Sequence, residues 1–322
     1  MNSQYEWLLG SDPWVAYRTR LDLLGQADDT PDVITARKAM MEHQLVLDLI
    51  RELSDWPSNP TTGVSKAIHP LNKLVFLADI GLTVHDPGIE VITDKVMAHQ
   101  SPEGAFQIIT NGYASRDEDR WGWKSCDFPS LLYALVKMGL GDDKRVKKAV
   151  DCLIRFSYMH GWPCVMSRDM AYYTEPGPQD DPCPIVNIIA LKTLALLSEH
   201  RTGKAARDGV NALLSLWEYR DRRRPNMFGI GKRFVLLKAP FVWYDILHLL
   251  EVLTQFPETL EDKRLRQMLD TVKSKADGQN RFTIESISPG WETWDFGQDK
   301  KPSPWLTFLV YRIFKRAGMP LA

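Results

Sequence analysis

A run of apolar residues that starts at a loop junction, usually beside a proline, recurs along this chain at almost constant spacing. The runs begin at Pro70, Phe128, Pro184, Tyr244 and Ser303. Pro70 to Phe128 is 58 residues, Cys126 to Cys183 57, Pro184 to Tyr244 60 and Tyr244 to Ser303 59. A period this long is one supersecondary unit that cannot bury its apolar face alone, so neighbouring units must stack. Proline fits the first turn of a helix, where its missing N–H would have had no partner anyway. Counting back one step from Pro70 reaches Trp14, where Val15-Ala-Tyr-Arg-Thr-Arg-Leu-Asp-Leu-Leu reads as a sixth such helix.

Between these apolar helices lie more polar segments: Pro31 to Leu53, Pro87 to His99, Lys144 to Tyr158, Lys204 to Tyr219 and Leu260 to Lys275. In Val146-Lys-Lys-Ala-Val-Asp-Cys-Leu-Ile the apolar residues recur at helical spacing with charges between them, the pattern of a helix with one buried face. Apolar inner helices thus alternate with amphipathic outer ones, and Cys152 on an outer helix reads as a packed core residue. After each outer helix comes an aromatic element: Phe106-Gln-Ile108, Trp162-Pro-Cys164, Phe228-Gly-Ile230 and Phe282-Thr-Ile284, with Trp56 as a first copy. Cys164 takes the slot that isoleucine fills elsewhere, so packing is expected there too. The expected architecture is all-α and a single domain over residues 1–322, with about six inner and five to six outer helices closing into a ring. An open stack would want polar capping repeats at both ends.

Lysine plus arginine number 40 and aspartate plus glutamate 41, so no global field favours nucleic acid or an acidic membrane. Four cysteines (Cys126, Cys152, Cys164, Cys183) make no disulfide framework in 322 residues, which points to a reducing compartment. The first residues form no signal peptide, and no run reaches the roughly 18 to 20 apolar residues of a membrane helix. The expectation is a cytoplasmic protein without a transmembrane segment.

Gln100-Ser-Pro-Glu-Gly104-Ala-Phe106 is similar to the Gln-x3-Gly-x-aromatic motif of the α/α toroids that include squalene and terpenoid cyclases and the β subunits of protein prenyltransferases. Degenerate copies keep Gly161-Trp162 and Asp277-Gly278 with Phe282, and the resemblance runs from about Trp14 to Ala322. It implies a toroid whose inner-helix N-termini ring the mouth of a cavity, where helix dipoles and free N–H groups suit an anion. The long connections 109–125, 165–181, 231–241 and 285–301 would lie at that mouth. It also implies a small apolar or isoprenoid-like ligand in the cavity. A helical-repeat protein partner is part of the same resemblance, since protein prenyltransferases work as heterodimers.

Asp181-Pro-Cys183 resembles the Asp-x-Cys zinc pair of the prenyltransferases, where zinc turns a substrate thiol into a thiolate. The third ligand of that family stands where this chain has Tyr244 and Asp245, with His248 one turn further in. The implied zinc set is therefore Asp181, Cys183 and His248. The bland alternative is helix capping by Asp180 or Asp181. Cys126-Asp127 occupies the matching place one repeat earlier, and could join Cys183 and Asp181 in a site completed by His69 or His248; capping is the reading of Asp127 that the repeat favours. The acidic motifs that start terpenoid cyclisation are absent, and Asp117-Glu-Asp119 reads as a solvated charge run.

Asp181, Cys183, Asp245 and Asp127 are thus the catalytic candidates. Lys232, Arg233 and Lys238 precede the Tyr244 helix and could receive a diphosphate or carboxylate. Tyr172, Tyr173, Trp121, Trp123, Trp243, Tyr244, Trp291, Trp294 and Trp305 would wall an apolar or cationic ligand, or pack the repeats together. Two other readings stay open: a non-catalytic toroid that binds a ligand or partner, and a carbohydrate-active barrel. The latter would draw on Asp127, Asp181, Asp245, Glu292 and Asp295 as carboxylates about 5 to 10 Å apart.

Overall fold

The structure, a computed structural model, describes residues 3–57, 65–111, 119–168, 181–220, 231–297 and 300–320. Its helices are α1 (Ser3–Leu9), α2 (Pro13–Arg18), α3 (Pro31–Met41), α4 (Gln44–Leu53), α5 (Pro70–Ile80) and α6 (Ile89–Met97). After an antiparallel hairpin of β1 (Ile108–Asn111) and β2 (Asp119–Gly122) come α7 (Phe128–Leu135), α8 (Lys144–Arg155), α9 (Pro184–Leu194) and α10 (Ser198–Arg201). The series ends with α11 (Lys204–Glu218), α12 (Ile246–Leu253), α13 (Lys263–Lys273) and α14 (Pro304–Arg316). The described chain is mostly helical, as the repeat requires. None of its described helices is long and apolar enough to cross a membrane.

Two differences from the sequence pattern have local causes. The expected helix from Pro31 to Leu53 breaks between α3 and α4, where the His43 imidazole accepts the Leu45 N–H at 3.3 Å and its ring packs edge-on against Trp14. The connection after Phe106 carries the hairpin, with Ile108 paired to Gly122 and Ile109 to Trp121. The Trp121 ring stacks on His99 with centroids 3.4 Å apart.

The chain divides into two compact units, one made of Met1–Leu49 with Lys232–Ala322 and the other of Ile50–Gly231. In the second unit α7 packs between α5 and α9, and α11 covers α9. In the first unit α14 packs against α12 and α2, with α13 on α12 and α3 on α2. The helices α5, α7, α9, α12 and α14 are buried on nearly every face, whereas α8 and α13 bury one stripe. Inner and outer helices are therefore distinct within each unit.

The repeated motifs act as clamps between successive helices. Gln100 Nε2 donates to the Gly104 carbonyl at 2.8 Å and to the Arg145 carbonyl on α8 at 2.7 Å. Gly104 has φ +115°, and a Cβ there would meet the Lys148 carbonyl oxygen at 2.6 Å, which explains the glycine in the motif. The aromatic element is held to the following inner helix in the same way in both units. The Trp162 N–H donates to Asn187 Oδ1 at 3.0 Å, and its carbonyl accepts the Cys183 N–H at 2.8 Å. The Phe282 N–H donates to Thr307 Oγ1 at 3.0 Å, and its carbonyl accepts the Ser303 N–H at 2.9 Å.

Deeper along the inner helices each unit holds a buried ion pair that the apolar pattern does not announce. Lys192 of α9 reaches Asp79 of α5 at 2.9 Å, and Tyr133 of α7 donates to the same carboxylate at 2.5 Å. The Lys192 ammonium also lies 4.1 Å from the Tyr133 ring centroid. In the other unit Arg312 of α14 meets Glu251 of α12 at 2.9 Å and Asp22 at 3.1 Å, while Arg18 holds Asp22 at 2.7 Å. Lys192 and Arg312 each stand eight residues after the proline that opens their helix.

With Lys192 only 4% exposed, Lys192→Met leaves the buried Asp79 carboxyl without its cation and is expected to cost about 3–5 kcal/mol. The double variant Lys192→Met/Asp79→Leu is expected to recover most of that loss. Urea unfolding of the four proteins checks the cycle, and a double-variant loss equal to the sum of the two single losses would show that the pair does not couple.

Candidate functional site

An inner helix that begins in the interior has to satisfy its first N–H groups inside the protein. The residue in that place is Asp12, His69, Cys183 or Ser303 where the next residue is proline, and Asp127 or Asp245 otherwise. A residue before proline is pushed out of the helical region, and the four pre-proline caps have ψ between 118° and 145°. His69 Nδ1 accepts the Leu71 N–H, Asp245 accepts the His248 N–H at 2.9 Å and Ser303 accepts the Leu306 N–H at 3.1 Å. Cys183 holds the place without a side-chain cap bond. Of the expected catalytic residues, Asp127, Cys183 and Asp245 are thus the N-caps of α7, α9 and α12, and Asp181 lies two residues before the cap of its helix.

In the second unit the caps gather a cluster of thiols and acids. Cys126 donates to Asp127 Oδ1 at 3.2 Å. The segment after Trp162 lies along the turn before α7: the Ser125 N–H donates to the Val165 carbonyl at 2.7 Å, and Ser125 Oγ accepts the Val165 N–H at 2.8 Å. That pairing brings Cys164 to Ser125 and Cys183. The neighbouring Cys183 thiol is the main reason the Cys164 thiol drops to about 7; partial desolvation opposes the shift, and Ser125 and Lys124 support it. The buried Cys183 and Cys126 thiols move the other way, burial being the first cause. Burial also raises Asp127 to about 6 against the pull of Lys124. His69 is held down at about 4 by burial and by the same lysine.

In the first unit Asp245 is buried and raised to about 7, with the His248 and Leu247 N–H groups and Lys238 opposing the effect of burial. The His248 ring bonds the Trp243 carbonyl through Nδ1 at 3.1 Å and stacks on Phe241 at 4.7 Å. A second acid, Asp295, accepts from Ser303 Oγ at 3.0 Å and the Trp305 N–H at 2.8 Å. Its other oxygen is buried without a hydrogen-bond partner among the described residues. Burial first, then the neighbouring Asp12, raises it to about 6.

Among the described residues no three His, Cys, Asp or Glu side chains are placed to hold a metal ion. The expected zinc residues are divided between the units, Asp181 and Cys183 in the second and His248 in the first. Of the expected anion receivers, Lys238 is brought to Asp245, while Lys232 and Arg233 stand exposed on a short 3-10 turn. Trp123 is buried against Phe128 and Phe156, Trp305 packs on Phe308, and Trp294 lies among Trp14, Trp291 and Phe296. These rings fill core; Trp243 and Tyr244, 5.6 Å apart, remain partly exposed. Tyr172, Tyr173, Asp180 and Asp117 lie outside the described residues. Lys124, Ser125 and Asp12 belong to these clusters without having stood out in sequence, although Asp12 shares the pre-proline signature of the other caps.

A scan against protein families and a search of curated proteins find no match. Among solved structures, the crystal structure of a protein from Actinoplanes is similar at 12% identity and a TM-score of 0.49, over 96% of this chain and 91% of that one. No family follows from that likeness.

A carboxyl whose folded-state pKa lies above its unfolded value favours the folded state less as pH rises from the unfolded value to the folded one. Asp245 therefore erodes stability between about pH 4 and pH 7. Asp245→Asn keeps an oxygen for the His248 N–H but removes the charge, so its stability relative to wild type is expected to grow across that window. Every tenfold gain in proton affinity on folding corresponds to about 1.4 kcal/mol. Guanidinium unfolding at pH 4.5 and 8 checks this, and a constant difference between the two proteins would show that Asp245 does not titrate there.

Proposed function

We propose that this chain binds an apolar, isoprenoid-like ligand at the N-terminal ends of its inner helices, as the toroids it resembles do. The proposal is carried by a contrast along those helices. Their N-terminal turns hold Asp127 and Asp245, buried carboxyls that burial biases toward the neutral acid, while the charges deeper in, at Lys192 and Arg312, are closed off by carboxylates. A neutral carboxyl can border hydrocarbon at far lower cost than an ionised one and can donate a hydrogen bond or a proton. Asp245 would be that donor, in the unit that also holds Lys238, Trp243 and Tyr244. Lys238, with Lys232 and Arg233 before it in sequence, would receive an anionic end group, and the partly exposed Trp243 and Tyr244 would border the chain of the ligand.

A fluorescent geranyl diphosphate analogue, titrated into the protein while tryptophan emission is followed, tests this. Saturable binding that farnesyl diphosphate displaces and inorganic diphosphate does not is the expected result. Lys238→Ala is expected to weaken it about tenfold or more, the loss of one charge-assisted hydrogen bond. No saturable binding, or equal displacement by diphosphate alone, would overturn the proposal. Mass spectrometry of the bound isoprenoid after incubation separates an enzyme from a carrier.

A further inference from the structure

The aromatic repeat predicts an apolar, buried residue two places after each aromatic, and Ile108 and Ile284 are buried there. Cys164 in the same slot is exposed. Its backbone is set by the two Ser125–Val165 bonds and by the clamp from Trp162 to Asn187 and Cys183. Gly161, which opens this segment at φ +89°, has no room for a side chain: a Cβ would stand 2.2 Å from Asn187 Oδ1. The placement of Cys164 against Cys183 is therefore held from several sides. The Cys183 thiol and the Ser125 side chain neighbour the Cys164 sulfur, with Lys124 as the nearby positive charge, and the Ser125 hydroxyl donates to the Pro163 carbonyl at 3.3 Å. Of the other cysteines, Cys126 is engaged with Asp127, and Cys152 is buried on α8.

We propose that Cys164 and Cys183 form a peroxide-reactive dithiol, with Cys164 the attacking sulfur and Cys183 the resolving one. The Cys164 thiolate attacks one oxygen of a peroxide, the O–O bond breaks, and the departing oxygen takes a proton and leaves as water (as an alcohol, from an alkyl peroxide). Cys164 is then a sulfenic acid. The Cys183 sulfur attacks the Cys164 sulfur, the S–O bond breaks, and a water leaves with the Cys183 proton as the disulfide forms. Two thiols have given two electrons to the peroxide, and a small-molecule thiol restores the pair. Exposure gives the oxidant access to Cys164, while Cys183 waits buried beside it, so that an approach of the sulfurs to about 2 Å completes the bond. The dithiol stands independently of the ligand proposed above.

The test is mass spectrometry of the full chain after brief treatment with a slight excess of hydrogen peroxide, followed by alkylation under denaturing conditions. Two of the four thiols are expected to be lost from alkylation, and non-reducing peptide mapping is expected to join Cys164 to Cys183. Cys126→Ser should behave as wild type. Cys183→Ser should lose the link and accumulate a dimedone-reactive sulfenic acid at Cys164. Four alkylatable thiols after treatment, a link through Cys126 or Cys152, or a dimer joined through Cys164 would each overturn the proposal. The wild-type map decides this even if a variant fails to fold.

Discussion

A helix buried along its whole length has no water at its first turn, so its leading N–H groups depend on whatever residue stands just before it. In this protein that dependence sets the character of the inner-helix ends. His69, Asp245 and Ser303 each accept one of those N–H groups, and Asp295 supplies a second acceptor at α14. A polar or ionisable residue is thereby carried into the interior at the start of helix after helix. Burial then raises the carboxyls, so the structural need for a cap also creates groups with shifted proton affinity.

The opposite problem is met deeper in. Apolar helices packed side by side offer little to choose between one register and another, because dispersion contacts are numerous but weakly directional. Lys192 with Asp79 and Tyr133 in one unit, and Arg312 with Glu251 and Asp22 in the other, add directional contacts between helices that are distant in sequence. Buried pairs contribute little net stability compared with apolar replacements, but leaving one partner alone is expensive. They therefore penalise misaligned packing more than they strengthen the correct one.

The thiol cluster follows from both constraints. Cys183 stands at a cap place that Ser303 fills in another repeat, and Cys164 stands in a slot that Ile108 and Ile284 fill elsewhere. In the repeat of Ile284 and Ser303 the two places hold a buried hydrocarbon and a hydroxyl. Here they hold two sulfurs, because the clamp that joins the aromatic element to the next helix is preserved while the side chains around it differ. Lys124 then lies close enough to act on His69, Asp127 and Cys164.

Helix identity was legible in the sequence because it depends on local pattern. Proline at the first turn, continuous apolar runs and one-sided amphipathic stretches locate the inner helices and most of the outer ones within a few residues. The Gln100 motif and the glycines at 104 and 161 could be recognised for the same reason, since a positive φ or a close backbone approach admits little else. The partners of these residues could not be read in the same way. Nothing local tells that Asp79 meets Lys192 across 113 residues, that Cys164 turns outward where its repeat mates turn in, or that Trp123, Trp294 and Trp305 pack into core. Those outcomes depend on which helices become neighbours and in what register, and burial, charge pairing and proton affinity are properties of that arrangement.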